Sequence, residues 1–194
     1  MENKTFNIVS ISGNARCGKD TLGKNMVKLL KEQGFNSKTI SFANQLKESV
    51  DEFLVSKLGI SAFTEDDEEK KIIRPFLVCW GTEIMRSIDK QHWIKQLEKQ
   101  LSHDCIYIVT DARFVNELDW VKKNNGLSVF LSRDGIEPAN EYESKENEKI
   151  KKSVDLTFHI GNFDDSKLLY LTSSEILNKL INEKTYKSWK ATCL

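Results

Sequence analysis

Residues 13–21 bring glycine, lysine and oxygen-bearing side chains together in the spacing of a phosphate-binding loop. They read Gly-Asn-Ala-Arg-Cys-Gly-Lys-Asp-Thr and directly follow the apolar run 8–11. Gly13 and Gly18 let backbone N–H groups turn inward around phosphate oxygens, and Lys19 can reach the β- and γ-phosphates of a bound polyphosphate. Because a strand-like run precedes the loop and a helical pattern follows it, the context favours a phosphate site over a chance glycine-rich turn.

Side chains that could hold Mg²⁺ stand at two points in the sequence. Asp20 occupies the loop position where Ser or Thr normally binds this ion, and Thr21 follows it. Asp111 comes at the carboxyl end of the apolar segment 106–110, where an acid orients Mg²⁺ in triphosphate sites, and Arg113 would point toward transferred phosphate. The alternative is that Asp111 only caps the next helix. We expect Asp20, Thr21 and Asp111 to be the metal contacts.

The arginines form a second group of candidate phosphate ligands. Among 29 basic residues only five are arginine, and all five lie in or beside segments singled out on other grounds: Arg16, Arg74, Arg86, Arg113 and Arg133. A guanidinium binds phosphate in a fixed bidentate geometry that an ammonium cannot reproduce. We expect at least three of the five to contact phosphate, and coding bias is the alternative explanation of the low arginine content.

The composition is that of an ordinary globular chain. Of the 194 residues, 39% are hydrophobic and 30% are charged, and the formal net charge is zero. No global field favours nucleic acid or a membrane surface, and no apolar run could span a bilayer or act as a signal peptide. The four cysteines lack CxxC or zinc spacing, which predicts free thiols and a cytoplasmic protein. Cys17, beside Arg16 and Lys19, is expected to be exposed and partly thiolate.

Short apolar runs separated by helical patterns predict an α/β domain with a parallel sheet. Five runs read as buried strands: 7–12, 38–42, 105–110, 127–131 and 156–160. Residues 43–104 form a helical insertion between the second and third strands, and a helix within it is expected to begin at Pro75. Residues 137–152 are highly charged and read equally well as a disordered segment, an exposed helix or a lid. The whole of 1–194 is interpreted as one domain.

Taken together, these motifs resemble the phage-type deoxynucleoside monophosphate kinases of the P-loop superfamily. The matching pieces keep the family's order over about residues 7–165 and comprise the phosphate loop, Ser41-Phe42-Ala43, Lys47, Arg74, Gly81-Thr82-Glu83, Arg86, Trp93-Ile94-Lys95, Thr110-Asp111-Ala112-Arg113, 131–135 and Ile160-Gly161-Asn162. The resemblance implies a P-loop NTPase three-layer sandwich, in which a five-stranded parallel sheet has helices on both faces. It also implies a phosphotransferase that uses ATP and Mg²⁺.

The resemblance further implies a role for each matching residue in moving the γ-phosphoryl group of ATP to a deoxynucleoside 5′-monophosphate. ATP would be held by Gly13, Asn14, Ala15, Arg16, Cys17, Gly18, Lys19, Asp20, Thr21, Arg133 and Asn162. Catalysis would rest on Lys19, Asp111, Arg113, Arg16 and Arg133. The acceptor and its phosphate would be held by Lys47, Arg74, Thr82, Glu83, Arg86 and Trp93.

The sequence departs from the family pattern at two places and keeps two alternatives open. Asn44 stands where the family often has an acid, and the segment 142–145 lacks the usual His and Glu. Phosphomevalonate kinases share parts of the pattern, so phosphomevalonate or dephospho-coenzyme A is an alternative acceptor. A nucleotide-binding module without transferase activity is the alternative from another class. The implied partner is a small-molecule nucleotide, with no nucleic acid and no membrane, and a homodimer is one open oligomeric state.

Overall fold

The computed structural model describes residues 6–138, 141–161 and 166–182. The chain divides into two compact units, Met1–Ile40 with Leu101–Leu194 as the first and Ser41–Gln100 as the second. In chain order the helices are α1 (Lys19–Glu32), α2 (Phe42–Leu58), α3 (Asp67–Val78), α4 (Met85–Ile88), α5 (His92–Glu98), α6 (Val115–Lys123), α7 (Glu141–Lys151) and α8 (Ser166–Asn182), with a π-helical turn at Cys79–Ile84. Within the described ranges, no helix combines the length and the apolar character needed to cross a membrane.

The first unit is built on a five-stranded parallel sheet, as the sequence predicts. Its strands are β1 (Asn7–Ser12), β2 (Ser37–Ile40), β3 (Ile106–Val109), β4 (Leu127–Arg133) and β5 (Leu156–Ile160), in the spatial order β2-β3-β1-β4-β5. β2 is shorter than expected because Ser41 caps α2, and the Ser41 Oγ accepts a hydrogen bond from the N–H of Asn44 at 3.3 Å. β4 is longer than expected because Arg133 still pairs with Ile160 of β5.

Helices cover both faces of this sheet and make it the middle of three layers. On one face, α1 and α8 share a continuous apolar core with the strands, which includes Val9, Ile11, Leu22, Met26, Ile108, Val129 and Ile176. On the other face, α6 packs against β1 and β4, and α7 lies beside α6. Complete burial of one aliphatic side chain of this size stabilises a fold by about 1.5–3 kcal/mol. Because helices lie on both faces of a five-stranded parallel sheet, the predicted three-layer α/β architecture is confirmed.

The sequence of α1 explains why this helix lies on the sheet and where it ends. Leu22, Met26 and Leu30 recur at every fourth position and are buried on one helical face. Near the end of the helix, Gly34 has a φ of +88°, a left-handed conformation that stops helices at little steric cost. A Cβ on Gly23 would lie 2.6 Å from the Thr110 methyl carbon, so the absence of a side chain lets α1 approach the end of β3 closely.

The second unit is helical and has a small core of its own, formed by Val50, Leu54, Ala62 and Ile73. α3 begins after Asp66, whose Oδ1 accepts hydrogen bonds from the N–H groups of Glu68 and Glu69 at 2.9 and 3.0 Å. The acidic first turn also suits the positive end of the helix dipole. The predicted helix start at Pro75 is therefore wrong, because this cap starts the helix earlier and Pro75 lies inside α3.

Candidate phosphate-binding site

The loop between β1 and α1 has the backbone of a phosphate cradle. Gly13, Arg16 and Gly18 have positive φ angles of 142°, 66° and 103°. Positive φ values turn neighbouring N–H groups toward one side, which is how backbone nests bind anions. A Cβ at Gly13 would lie 2.1 Å from the carbonyl oxygen of Leu131, so only glycine allows the loop to meet the end of β4 in this way.

The N-terminus of α1 completes this cradle. Gly18 occupies the N-cap position, and a glycine offers no side-chain acceptor to the first N–H groups of the helix. Those groups carry the partial positive charge of the helix dipole, which favours an anion. Asp20 and Thr21 lie in the first turn and are exposed, beside the same helix end.

Lys19 lies across the loop, and its ammonium group is repelled by the positive charge of Arg113. Its Nζ donates hydrogen bonds to the carbonyl oxygens of Gly13 and Asn14 at 2.9 and 2.6 Å. Burial lowers the pKa of Lys19, and the positive charge of Arg113 lowers it further. Interactions with Cys17, Asp20 and Glu143 raise the pKa of Lys19 and offset part of this decrease. The positive charges of Lys19 and Arg113 therefore repel each other, and a bound anion would reduce this repulsion.

Cys17 lies beneath the loop, and this position corrects the prediction for its thiol. The side chain is 0% exposed, and its Sγ donates a hydrogen bond to the carbonyl oxygen of Leu131 at 3.4 Å. Burial raises the pKa of Cys17, and the nearby Lys19 offsets only part of this increase. The expectation of an exposed and partly thiolate cysteine is wrong, because the side chain packs against the end of β4.

A buried glutamate orders the segment that carries Asp111 and Arg113. β3 pairs in parallel with β1 as far as Ser10 and Val109, and Asp111 follows two residues after this last pair. Glu117 is 1% exposed, and its Oε2 accepts hydrogen bonds from the N–H groups of Arg113 and Phe114 at 2.7 and 3.1 Å. The N-cap residue of α6 is Phe114 and not Asp111. Glu117 is not among the predicted site residues, and its local signal is its place three residues after the N-cap.

Arg133 ends β4 beside the N-terminus of α1. Its Nη2 lies 3.8 Å from the position that a Cβ on Gly18 would occupy. The following residue, Asp134, is tied to β5, because its Oδ1 lies 2.9 Å from the Nε2 of His159. The pairing of β4 with β5 thus holds Arg133 at the cradle. The other ATP contact expected in this region, Asn162, lies outside the described residues.

The charged segment 137–152 contains a packed helix that contacts the phosphate loop. Asn147 of α7 is 8% exposed, and its Nδ2 donates a hydrogen bond to the Oδ1 of Asn14. The Nδ2 of Asn14 in turn donates to the carbonyl oxygen of Ile136 at 3.0 Å. Ile150 of the same helix is also buried. The disordered interpretation is therefore wrong for residues 141–151, and Asn147 is a loop contact that was not among the predicted site residues.

The carboxylates near the cradle fit a metal ion that is shared with a substrate. Among the residues that the structure describes, no group of three or more His, Cys, Asp or Glu is placed to hold a metal ion. Mg²⁺ usually keeps several waters and is bound by one or two protein ligands together with phosphate oxygens. Asp20, Thr21 and Asp111 suit this mode by residue type, and Gly23 of α1 closely approaches Thr110, the neighbour of Asp111.

The residues expected to bind the acceptor lie on separate elements of the helical unit. They are Lys47 on α2, Arg74 on α3, Thr82 and Glu83 in the π-helical turn, and Arg86 on α4. The Nζ of Lys47 lies 5.4 Å from the centre of a phenylalanine ring, at Phe63. Arg74 is exposed, and the acidic run beside it pairs with lysines, as in the 2.6 Å contact between Lys71 and Glu68.

Trp93 belongs to the packing of the helical unit, and this corrects its assignment to the substrate. It is 3% exposed, and its Nε1 donates a hydrogen bond to the carbonyl oxygen of Gly81 at 2.9 Å. A ring buried to this extent offers no face on which a base could stack. Its hydrogen bond instead links α5 to the π-helical turn that contains Thr82 and Glu83.

Comparisons with known proteins find relatives among kinases. A family model described as phosphomevalonate kinase matches residues 11–126. A protein of Acanthamoeba polyphaga mimivirus, named “Putative deoxynucleotide monophosphate kinase”, is 27% identical over 171 residues, which cover 77% of this chain and 86% of the relative. Shikimate kinase from Aquifex aeolicus has a TM-score of 0.49 at 15% identity, with 89% of this chain and 95% of that chain covered. APS kinase from Mycobacterium tuberculosis has a TM-score of 0.42 at 11% identity, with 91% and 97% covered.

The family model and the viral relative agree with the phosphate loop that the sequence predicts. The viral relative bears out the resemblance to deoxynucleoside monophosphate kinases. The chain is a P-loop kinase and hence a phosphotransferase. The match to the family model covers more than half of the 194 residues and includes the phosphate loop and the segment with Asp111 and Arg113. The chain therefore belongs to the phosphomevalonate kinase family.

Proposed function

We propose that this kinase transfers the γ-phosphoryl group of ATP to the 5′-phosphate of a deoxynucleoside monophosphate, forming the diphosphate and ADP. The bond from the γ-phosphorus to the β,γ-bridging oxygen breaks, and a bond from the γ-phosphorus to an acceptor phosphate oxygen forms. The observation that carries the proposal is the cradle between β1 and α1, in which Gly13, Arg16 and Gly18 have positive φ angles and the Lys19 ammonium lies across the loop. The name of the viral relative supports this acceptor.

The donor phosphates would be held by the backbone N–H groups between Gly13 and Gly18 and by the first turn of α1. An anion at this place reduces the repulsion between Lys19 and Arg113 and satisfies the positive end of the helix. The Lys19 ammonium, which now binds two loop carbonyls, would exchange one of these contacts for a phosphate oxygen. Asn162 remains the sequence prediction for a contact to the adenine.

Asp20, Thr21 and Asp111 would hold Mg²⁺ together with phosphate oxygens. The bound ion neutralises negative charge on the β- and γ-phosphates. Asp111 is half-buried and lies two residues beyond Val109, the last residue of β3 that pairs with β1, so it would hold the ion from this edge of the sheet.

Three arginines would stabilise the charge that spreads over the transferred group, namely Arg16, Arg113 and Arg133. Preorganised donors are most effective when they need not move as the charge develops. Glu117 accepts a hydrogen bond from the Arg113 N–H and so fixes the backbone from which this exposed side chain would reach the phosphate. The acceptor oxygen is already anionic, so positioning matters more than a strong general base.

The helical unit would bind the acceptor. Arg74 and Arg86 would bind its phosphate, because a guanidinium sets the orientation of a phosphate as well as neutralising it. Thr82, Glu83 and Lys47 would contact the sugar or the base, using hydroxyl, carboxylate and ammonium groups that match hydrogen-bonding atoms of a nucleoside.

A second acceptor, phosphomevalonate, is favoured by the family to which the chain belongs. Both acceptors are phosphate monoesters, so the cradle, the ion and the arginines would do the same chemistry with either. The two differ in the part beyond the phosphate, which is a flat base on a sugar in one and a flexible acid in the other. The contacts beyond the phosphate would therefore decide between them.

The deciding experiment measures ADP formation from ATP and Mg²⁺ with a panel of acceptors. The panel contains the deoxynucleoside 5′-monophosphates, phosphomevalonate and dephospho-coenzyme A, with Lys19→Met as the inactive control. The proposal expects kcat/KM for one deoxynucleoside monophosphate to exceed that for the other two classes by about a hundredfold or more. Turnover of phosphomevalonate alone would establish the second acceptor. ATP binding without turnover of any acceptor would indicate a non-catalytic nucleotide-binding module.

A further inference from the structure

The π-helical turn at Cys79–Ile84 is the irregular element of the helical unit. It lies directly between α3 and α4. π-helical turns are rare in proteins, and many of those that do occur lie at functional sites. The wider turn redirects the side chains that it carries. This turn contains Thr82 and Glu83, and α4 after it carries Arg86. Its backbone therefore decides where these candidate acceptor contacts point.

Two contacts hold the buried Gly81 in the turn. A Cβ at this residue would lie 2.0 Å from the Cδ1 of Leu46, so the Gly81 backbone meets the side chain of α2 directly. On the carbonyl side, the Nε1 of Trp93 donates a buried hydrogen bond to the Gly81 oxygen at 2.9 Å. The turn is thus held between a leucine of α2 and the indole of α5.

We infer that Trp93 is a positioning residue for the acceptor and acts through the Gly81 carbonyl. The indole N–H orients the peptide plane between Gly81 and Thr82, and this plane sets the directions of the Thr82 and Glu83 side chains. The inference rests on the proposed function, which assigns those two side chains to the acceptor. The buried ring of Trp93 stabilises the unit by packing, whereas its N–H orients the peptide plane. A substitution by phenylalanine separates the two roles, because phenylalanine has a ring but no hydrogen-bond donor.

The first test is the variant Trp93→Phe, which keeps an aromatic ring in the core. We expect the acceptor KM to rise or kcat to fall by about tenfold, the usual effect of one lost hydrogen bond. The KM for ATP should change by less than about twofold, since the phosphate loop is untouched. Lost packing alone would lower Tm without this split between the two substrates, and that result would overturn the inference.

The matched control is Trp80→Phe, because Trp80 lies in the same turn. Its Nε1 donates to the Oγ of Ser49 at 3.3 Å in an exposed contact, and its ring stacks on Phe76. An exposed hydrogen bond is readily replaced by water, so we expect the acceptor parameters to stay within about twofold of the original protein. Equal effects of the two substitutions would overturn the inference, because the Gly81 carbonyl would then have no special role.

A double-mutant cycle tests whether Trp93 acts through the turn. Once Glu83→Gln has removed one of the two contacts that Trp93 positions, adding Trp93→Phe should lower the acceptor kcat/KM by less than Trp93→Phe does in the original protein. Fully multiplicative effects would overturn the inference. If Trp93→Phe does not fold, Leu46→Ala loosens the same turn from the α2 side, and unchanged acceptor parameters in that variant would also overturn it.

Failure of the inference and failure of the proposed function give different results. If Thr82→Val and Glu83→Gln both leave the acceptor parameters unchanged, the turn does not bind the acceptor and the proposed acceptor site is wrong. If these variants impair the acceptor while Trp93→Phe does not, only the positioning role of Trp93 is wrong.

Discussion

Replacing Lys19 by methionine separates the chemistry of the phosphate loop from its folding. Methionine keeps a flexible apolar chain but lacks the positive charge and the donors. Lys19→Met loses hydrogen bonds to two loop carbonyls at 2.9 and 2.6 Å, each with a net stabilisation of about 1 kcal/mol. The substitution also removes a positive charge that the folded protein disfavours, since burial and the nearby charge of Arg113 both lower the pKa of Lys19. Because these effects have opposite signs, Tm should change by less than about 4 °C.

The effect of the same substitution on catalysis should be far larger. One positioned donor to developing charge contributes about 3–4 kcal/mol to the stabilisation of a transition state. A charged donor belongs at the upper end of this range, and 1.36 kcal/mol corresponds to a factor of ten in rate. Lys19→Met should therefore lower kcat by about a thousandfold while leaving the fold intact.

The assay couples ADP formation to a spectroscopic readout, with Tm measured on the same preparation. Lys28→Met is the matched control, because Lys28 lies on the same helix and is exposed, and its kcat should stay within about twofold of the original. Near-normal turnover in a folded Lys19→Met protein would refute the assignment of this loop as the phosphate site.

The remaining predictions concern the acceptor, the buried cap, pH and the loop thiol. Arg74→Lys and Arg86→Lys should each raise the acceptor KM or lower kcat by about tenfold, because lysine loses the bidentate geometry; unchanged kinetics in both would place the acceptor phosphate elsewhere. Glu117→Ala should lower the free energy of unfolding by about 2–4 kcal/mol, since two N–H groups lose a charged acceptor. Glu117→Gln keeps an acceptor oxygen and should retain most of that stability. If urea unfolding shows the same loss of free energy for Glu117→Ala and Glu117→Gln, the capping role of Glu117 is contradicted. ATP affinity should fall as pH rises through the pKa of Lys19, which burial lowers from 10.5, because the phosphates favour the charged amine and binding then takes up a proton. Calorimetry in buffers of different ionisation enthalpy measures this uptake, and constant affinity up to pH 10.5 would contradict it. Cys17 should react with iodoacetamide about tenfold more slowly in the folded protein than in urea, because it is buried and its pKa is raised. Mass mapping that finds equal rates would contradict its burial.

Local patterns in the sequence are sufficient to predict the sheet and the phosphate loop. β1 and β5 have the predicted bounds, because a buried parallel strand is a short apolar run between turn residues. The cradle is likewise local, since all its glycines and Lys19 fall within residues 13–21. Strand ends are less predictable because they depend on neighbours, as at Ser41, which caps α2 instead of extending β2.

The sequence by itself determined the strands, the loop and the residue types that phosphate chemistry requires, whereas the tertiary structure decided which side chains surround them. Asn147 binds Asn14 from 133 residues away, and Leu131 covers Cys17 from 114 residues away. Helical spacing puts Trp93 on one face of α5, and only the contact with Gly81 shows that this face is buried. Spacing reports neighbours within a few turns of the same element, but exposure and hydrogen-bond partners depend on which distant segments pack together.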